Sequence, residues 1–198
     1  MENSNVVVRL ATEKDLSFAT AIANEMEASA KARGTGISKR SPGLIKEKIV
    51  EGKAVVAVTG DGKWAGFIYM EPWANGSFVS HNGLIVPPSW RRKGIATLMK
   101  EKIFELTRLK YPMAKIFGIT STLATMKINT RLGLSPVAYS EIVQDLVFWG
   151  KCKSCVHYKD LRKAQFKNCF CTAMLFDPVA NAAAAAVPDA YHPVPAVC

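Results

Sequence analysis

The chain has 198 residues, 49% of them hydrophobic, with a formal net charge of +10 and five cysteines. Mean hydropathy near zero at that apolar content excludes a disordered or fibrous chain and allows one sizeable core, hence a single domain with a decorated end. No stretch approaches the ~20 apolar residues of a bilayer span and no cationic start leads into an apolar run, so the expected location is cytoplasmic, where cysteines stay thiols or bind metal.

In chain order, "NVVVRLA" predicts a strand. Thr12, with Glu13 and Asp15 behind it, predicts a helix start, and Leu16, Ala19, Ile22, Ala23 and Met26 carry helical spacing up to Gly34 and Gly36. "SPGLIKEKIVEG" predicts a second helix with Ser41 as cap and Gly52 as stop. "KAVVAVTGDGKWAGFIYMEPW" is an antiparallel hairpin turning at "GDGK", and "SFVSHNGLIV" extends its sheet. Ile95, Leu98, Met99, Ile103, Phe104 and Leu106 form an apolar helical stripe closed by Pro112. A strand "AKIFGIT", a helix "TLATMKINTRLG" and a strand "LSPVAY" follow. The order β-α-α-β-β-β-α-β-α-β describes an α/β fold with a mixed, mostly antiparallel sheet flanked by helices. Residues 1–176 form that one domain, with a cysteine-rich insertion at 151–172; residues 177–198 are an Ala/Pro-rich tail expected to be flexible.

The positive charge calls for an anionic partner. "VPPSWRRKGIATLM" shows where one fits: a strand runs into a glycine-led helix start, whose first-turn N–H groups have no partners of their own. Arg91, Arg92 and Lys93 stand at the helix end where cations oppose the dipole, which an anion would offset. "CKSC" and "CFC" offer Cys152, Cys155, Cys169 and Cys171 at spacings that suit a four-thiolate structural zinc, with His157 as a substitute ligand; buried apolar thiols are the alternative reading.

Val86, Pro88, Arg91, Gly94 and Ala96 fit V-x-P-x-x-(R/Q)-x-x-G-x-(G/A), and by this motif and its element order the chain resembles the Gcn5-related N-acetyltransferase (GNAT) superfamily. That resemblance implies an acyl-CoA N-acyltransferase fold. It also implies that Arg91, Arg92, Lys93, Gly94, Ile95 and Ala96 bind the CoA pyrophosphate and that Leu84 and Val86 meet pantetheine and thioester. The Val86 N–H would polarise the carbonyl. "INTRLGL" is similar to the family's Y-x-K-x-G-F segment and places Asn129 where a tyrosine usually serves as acid. Asparagine cannot donate that proton, so Tyr139 or solvent is left. Asn82 stands where many members carry a glutamate base, which leaves His81 or Glu71. "ISKRSPGLIKEKI" resembles a segment of the N-acetylglutamate synthase acetyltransferase domain, in which Lys39, Arg40 and Ser41 would hold the carboxylate of an amino-acid acceptor.

The resemblance thus implies transfer of an acetyl or succinyl group from acyl-CoA to a small acidic amino acid, plausibly glutamate in arginine biosynthesis, by a chain with no membrane partner and with a homodimer left open. The other readings are a GNAT acting on a protein, antibiotic or polyamine, a CoA-binding module without catalysis, and a basic nucleic-acid-binding module, the last disfavoured.

Overall fold

The computed structural model describes residues 6–34 and 39–186; Gly36, Cys198 and the tail beyond residue 186 lie outside the described residues. The strands are β1 (Val6–Leu10), β2 (Ala54–Thr59), β3 (Trp64–Trp73), β4 (Phe78–Ile85), β5 (Lys115–Thr120), β6 (Ser135–Val137) and β7 (Thr172–Phe176). The helices are α1 (Ala19–Arg33), α2 (Pro42–Val50), α3 (Ile95–Lys110), α4 (Leu123–Arg131), α5 (Leu146–Gly150), α6 (Tyr158–Lys163) and α7 (Pro178–Ala186). The strands make one sheet in the order β1-β2-β3-β4-β5-β7-β6, antiparallel except where β4 meets β5.

The first helix begins later than the sequence predicts. Thr12 caps a 3-10 turn over Glu13–Phe18, and the α-helix starts at Ala19. Asp15 causes the tight entry: its carboxylate accepts from the Thr12 N–H at 2.8 Å and from the Arg9 guanidinium at 2.7 and 2.9 Å, tying β1 to the turn. Ser41 caps α2 by accepting from the Leu44 N–H, and Gly34 ends α1 in the left-handed region.

Apolar residues of alternating parity separate to the two faces of the sheet. Val56, Phe67, Tyr69 and Ile85 pack with Ile22 and Met26 of α1 and Ile45 of α2. Val55, Ala57, Ile68, Met70 and Val79 pack with Met99 and Ile103 of α3 on the other face. A third cluster gathers Trp73, Phe117, Tyr139, Phe148 and Trp149 around β5, β7 and α5.

Several elements depart from the sequence reading. β7, α5 and α6 lie in or beside the cysteine-rich stretch taken as an insertion, and β7 completes the sheet between β5 and β6. The first part of the expected flexible tail is helical, since α7 runs from Pro178 to Ala186 with the Asp177 carboxylate accepting from the Val179 N–H. In α3, Leu98 is exposed while Lys100 and Thr107 turn inward.

Candidate active site

Two irregularities on β4 make the site. Tyr69 pairs with Asn82 and Phe67 with Ile85, so β4 carries one extra residue there, a bulge at Gly83 and Leu84. Gly83 has φ +64, and a Cβ on it would lie 2.8 Å from the Tyr69 ring and 2.9 Å from Met26 Cε, so only glycine fits. On the opposite edge, β4 pairs with β5 only as far as Ser80 and Phe117, after which the two strands part. A cavity of about 230 Å3 opens in that gap, lined on β4 by residues 80–84 and on β5 by residues 117–120.

At the mouth of the gap, residues 86–94 lead into α3. Arg92 and Gly94 are left-handed at φ +61 and +79, and Gly94 caps the helix. The N–H groups of residues 92–96 have no acceptor among the described residues, so a row of donors at a helix start is available to an anion. Arg92, Lys93 and Gly94 are exposed, with Lys93 Nζ 4.5 Å from the Trp90 ring. Arg91 is engaged elsewhere: Nε donates to the Val86 carbonyl at 3.0 Å and a terminal nitrogen to Ser29 Oγ at 2.7 Å, with Glu25 at 3.4 Å. It braces the loop against α1 while remaining exposed. Ile95 is buried in the α3 core and Ala96 is half-buried, so they offer backbone only.

The cavity reaches both faces of the sheet. On the α3 side stand His81, Lys100 and Asn129. His81 Nε2 lies 2.9 Å from Thr107 Oγ1, whose own proton is directed to the Ile103 carbonyl at 2.7 Å or to Met70 Sδ; Nε2 therefore carries the imidazole hydrogen and Nδ1 accepts from Lys100 Nζ at 3.3 Å. Burial, with Lys100 beside it, holds the His81 imidazolium well below its usual range. Burial alone lowers Lys100 to about 7. Asn129 is 1% exposed; its Nδ2 reaches Met174 Sδ at 3.6 Å, and its Oδ1 has no partner among the described residues.

The opposite side is formed by Arg40, Tyr69, Lys151, Tyr139, His157 and the cysteines. Arg40 Nε donates to Tyr69 Oη at 2.8 Å. Lys151 lies 4.6 Å from the Trp73 ring and pairs with Glu71.

Several predicted site residues take other roles. Glu71 does not line the cavity and is held between Lys48 and Lys151. His81 faces α3, away from Arg40, with both ring nitrogens engaged. Tyr139 lines the cavity, but its hydroxyl donates to the Cys171 carbonyl at 2.9 Å, and burial beside Cys169 and Cys171 raises its pKa, a poor proton donor. Val86 is buried against the α3 core and outside the lining; the bulge brings Leu84 and Gly83 to the gap instead. Lys39 is mostly exposed, paired with Glu27 at 3.2 Å, and Ser41 is committed to its cap, which leaves Arg40 as the member of that trio at the cavity.

The four cysteines do converge on the cavity wall, as free thiols. Among the described residues no group of three or more Cys, His, Asp or Glu side chains is placed to hold a metal ion, which corrects the expected zinc site at Cys152, Cys155, Cys169 and Cys171. Burial and neighbouring sulfurs push Cys152 up to about 11 and Cys171 up to about 12, so both are protonated near neutral pH. Among the described residues no helix is long and apolar enough to cross a membrane.

Sequence reasoning missed Lys100 and Lys151. A lysine next to Met99 on an amphipathic helix ordinarily runs its head to water, and only the rotation of α3 that exposes Leu98 puts Lys100 inside.

No family profile matches this sequence, and no curated protein does. Solved structures do. The N-acetylglutamate synthase of Neisseria gonorrhoeae complexed with coenzyme A and N-acetyl-glutamate superposes with TM-score 0.61 at 15% identity over 89% of this chain, which spans 36% of that longer protein. The diaminobutyrate acetyltransferase EctA of Paenibacillus lautus, in complex with L-2,4-diaminobutyric acid and coenzyme A, gives 0.59 at 13% identity, covering 89% of this chain and 96% of its own. An acetyltransferase of the GNAT family from Staphylococcus aureus gives 0.60 at 10% identity, covering 88% and 99%. The bulged β4, its separation from β5 and the glycine-led α3 thus belong to a chain with the GNAT acetyltransferase fold.

Proposed function

We propose that the chain is an acyl-CoA-dependent N-acyltransferase that moves an acetyl group to the amine of an amino acid. One observation carries this: the parted strands form a passage through the sheet, with unpaired helix-start amides at its mouth and a guanidinium at its far end. Residues 92–96 would hold the CoA pyrophosphate by backbone N–H groups, with Arg92 and Lys93 adding charge. Pantetheine would lie along β4, where Gly83 and Leu84 have no partner in the β3 register and their backbone can serve the thioester oxygen, a role worth about 3 kcal/mol per donor. Structures of EctA and the Neisseria synthase with CoA support this reading.

The acceptor enters from the Arg40 side. Arg40 would take its carboxylate, and His157, which lines the same end, would take the ammonium proton before the amine attacks. Glutamate, and with it a place in arginine biosynthesis, is the finer form of the proposal; it draws on the N-acetyl-glutamate complex of the Neisseria synthase. A second reading, a CoA-binding module without transfer, is favoured by Asn82, whose amide is spent on Ser80 Oγ at 2.7 Å where an acid or base would be useful.

The test is thiol release from acetyl-CoA, and separately succinyl-CoA, with a panel of amino acids. Turnover with glutamate and a tenfold or larger rise in acceptor KM for Arg40→Met are expected, a loss of about 1.4 kcal/mol or more. CoA binding without release for any amine would leave the second reading.

A further inference from the structure

Two lysines of this chain are buried, and their surroundings differ. Lys48 Nζ, 4% exposed, lies within ion-pair distance of Glu47, Glu51 and Glu71. Lys100, 2% exposed, has no carboxylate near it among the described residues; its polar contact is the lone pair of His81 Nδ1. Ordinary packing does not explain the second arrangement. An amine placed in a core without a counter-ion is costly to keep charged and could have been a methionine.

Its position suggests what completes it. Lys100 is five residues into the helix that begins at the anion loop, about 7–8 Å along the axis at 1.5 Å per residue. It lines the α3 side of the passage, whereas Arg40 lines the other. In the acyltransferase reading, the CoA sulfur would sit on the Lys100 side of this cavity and the acyl carbon toward the Arg40 side. Across the gap, Asn129 presents the buried Oδ1 that has no donor. Gly118 lines the same end, where a Cβ would be 3.8 Å from both Asn129 Nδ2 and the His81 carbonyl. The passage thus ends, on the thiol side, in one N–H donor and one unfilled acceptor.

We propose that Lys100 is the acid that protonates the departing CoA sulfur, an inference that rests on the acyltransferase reading above. After the amine has added to the thioester and its nitrogen has lost its second proton to solvent, the C–S bond breaks with its electron pair going to sulfur. Lys100 Nζ gives one proton to that sulfur, leaving CoA as the thiol and the lysine as a neutral amine, which regains a proton from solvent. Asn129 Oδ1 then accepts from the S–H. His81 is a positioning residue: Thr107 fixes its tautomer so that Nδ1 points at Lys100. Among the groups lining this end, β4 contributes His81, β5 Gly118 and Ile119, and α4 Asn129, with His81 the titratable one. The lowered value of about 7 agrees with this role, since transfer to a thiolate whose acid has a pKa of about 8.5 runs downhill.

Two measurements test it. Calorimetry compares CoA with desulfo-CoA, which lacks the thiol. Wild type should bind CoA about tenfold tighter, and Lys100→Met should bind the two within about twofold. Steady-state kinetics should show kcat about 100-fold lower in Lys100→Met with the acetyl-CoA KM little changed, and loss of the wild-type decline in kcat as pH rises past neutrality. The same CoA preference in both proteins, or none in wild type, overturns the assignment, and the wild-type comparison needs no variant to fold. Failure here leaves CoA binding and the amine panel intact, whereas failure of the acyltransferase reading removes turnover from the wild type itself.

Discussion

At the scale of single residues, burying Lys100 without an anion has a thermodynamic signature that Lys48 does not share. For Lys48, burial would lower the pKa, but the hydrogen bonds it donates to Glu47 and Glu51 and the charge of Glu71 outweigh it and the pKa rises. For Lys100 nothing opposes burial, and the folded value falls to about 7 while the unfolded chain keeps the ordinary ~10.4. Between those values the unfolded state binds more protons, so stability rises with pH, by at most about 1.4 kcal/mol per unit. Chemical denaturation of wild type and Lys100→Met from about pH 7 to about pH 10 should show this rise in wild type and not in the variant. A parallel slope in both would mean that the amine is charged in the fold. Residue identity alone gave the glycine-led start of α3, since Gly94 and the helix cap are local features. Of the two residues expected at the thioester, Leu84 lines the cavity and Val86 does not, because the residue added at Gly83 shifts every later side chain by one step.

At the scale of elements, the bulge and the parting of β4 from β5 are linked. The bulge bends β4 at Gly83 and Leu84, just beyond its last pairing with β5 at Ser80 and Phe117. Gly83→Ala should therefore cost more than a surface change: positive φ and two contacts under 3.0 Å force either Tyr69 or β4 to move. A loss of about 2–3 kcal/mol in urea unfolding is expected, with CoA affinity falling as well. Wild-type stability in that variant would show that β4 can relax without its glycine. The hairpin, α2, α3 and α4 were readable because caps and periodicity are local. β7 was not, for its central residues are buried on both faces and give no alternation, and five residues beside a cysteine-rich stretch carry no turn signal.

At the scale of the whole molecule, the chain carries a net charge of +10, and Arg92 and Lys93 are exposed beside the unpaired amides. Screening should then act on capture and not on chemistry. Raising salt from about 0.05 M to about 0.5 M is expected to raise the acetyl-CoA KM severalfold with kcat within about twofold. A KM that ignores salt would place the recognition in the backbone alone.

The sheet order sets when this machinery can exist. β6 pairs with β7, and β7 also borders β5, the strand that walls the passage. While the chain is being synthesised, β5 and β6 are made first and must wait, held apart, until residues 172–176 emerge and slide between them. The C-terminal strand is thus the keystone of an arch whose two sides are already standing. A ribosome stalled shortly before it would carry a chain with the glycine-led start of α3 complete and half of its passage unbuilt.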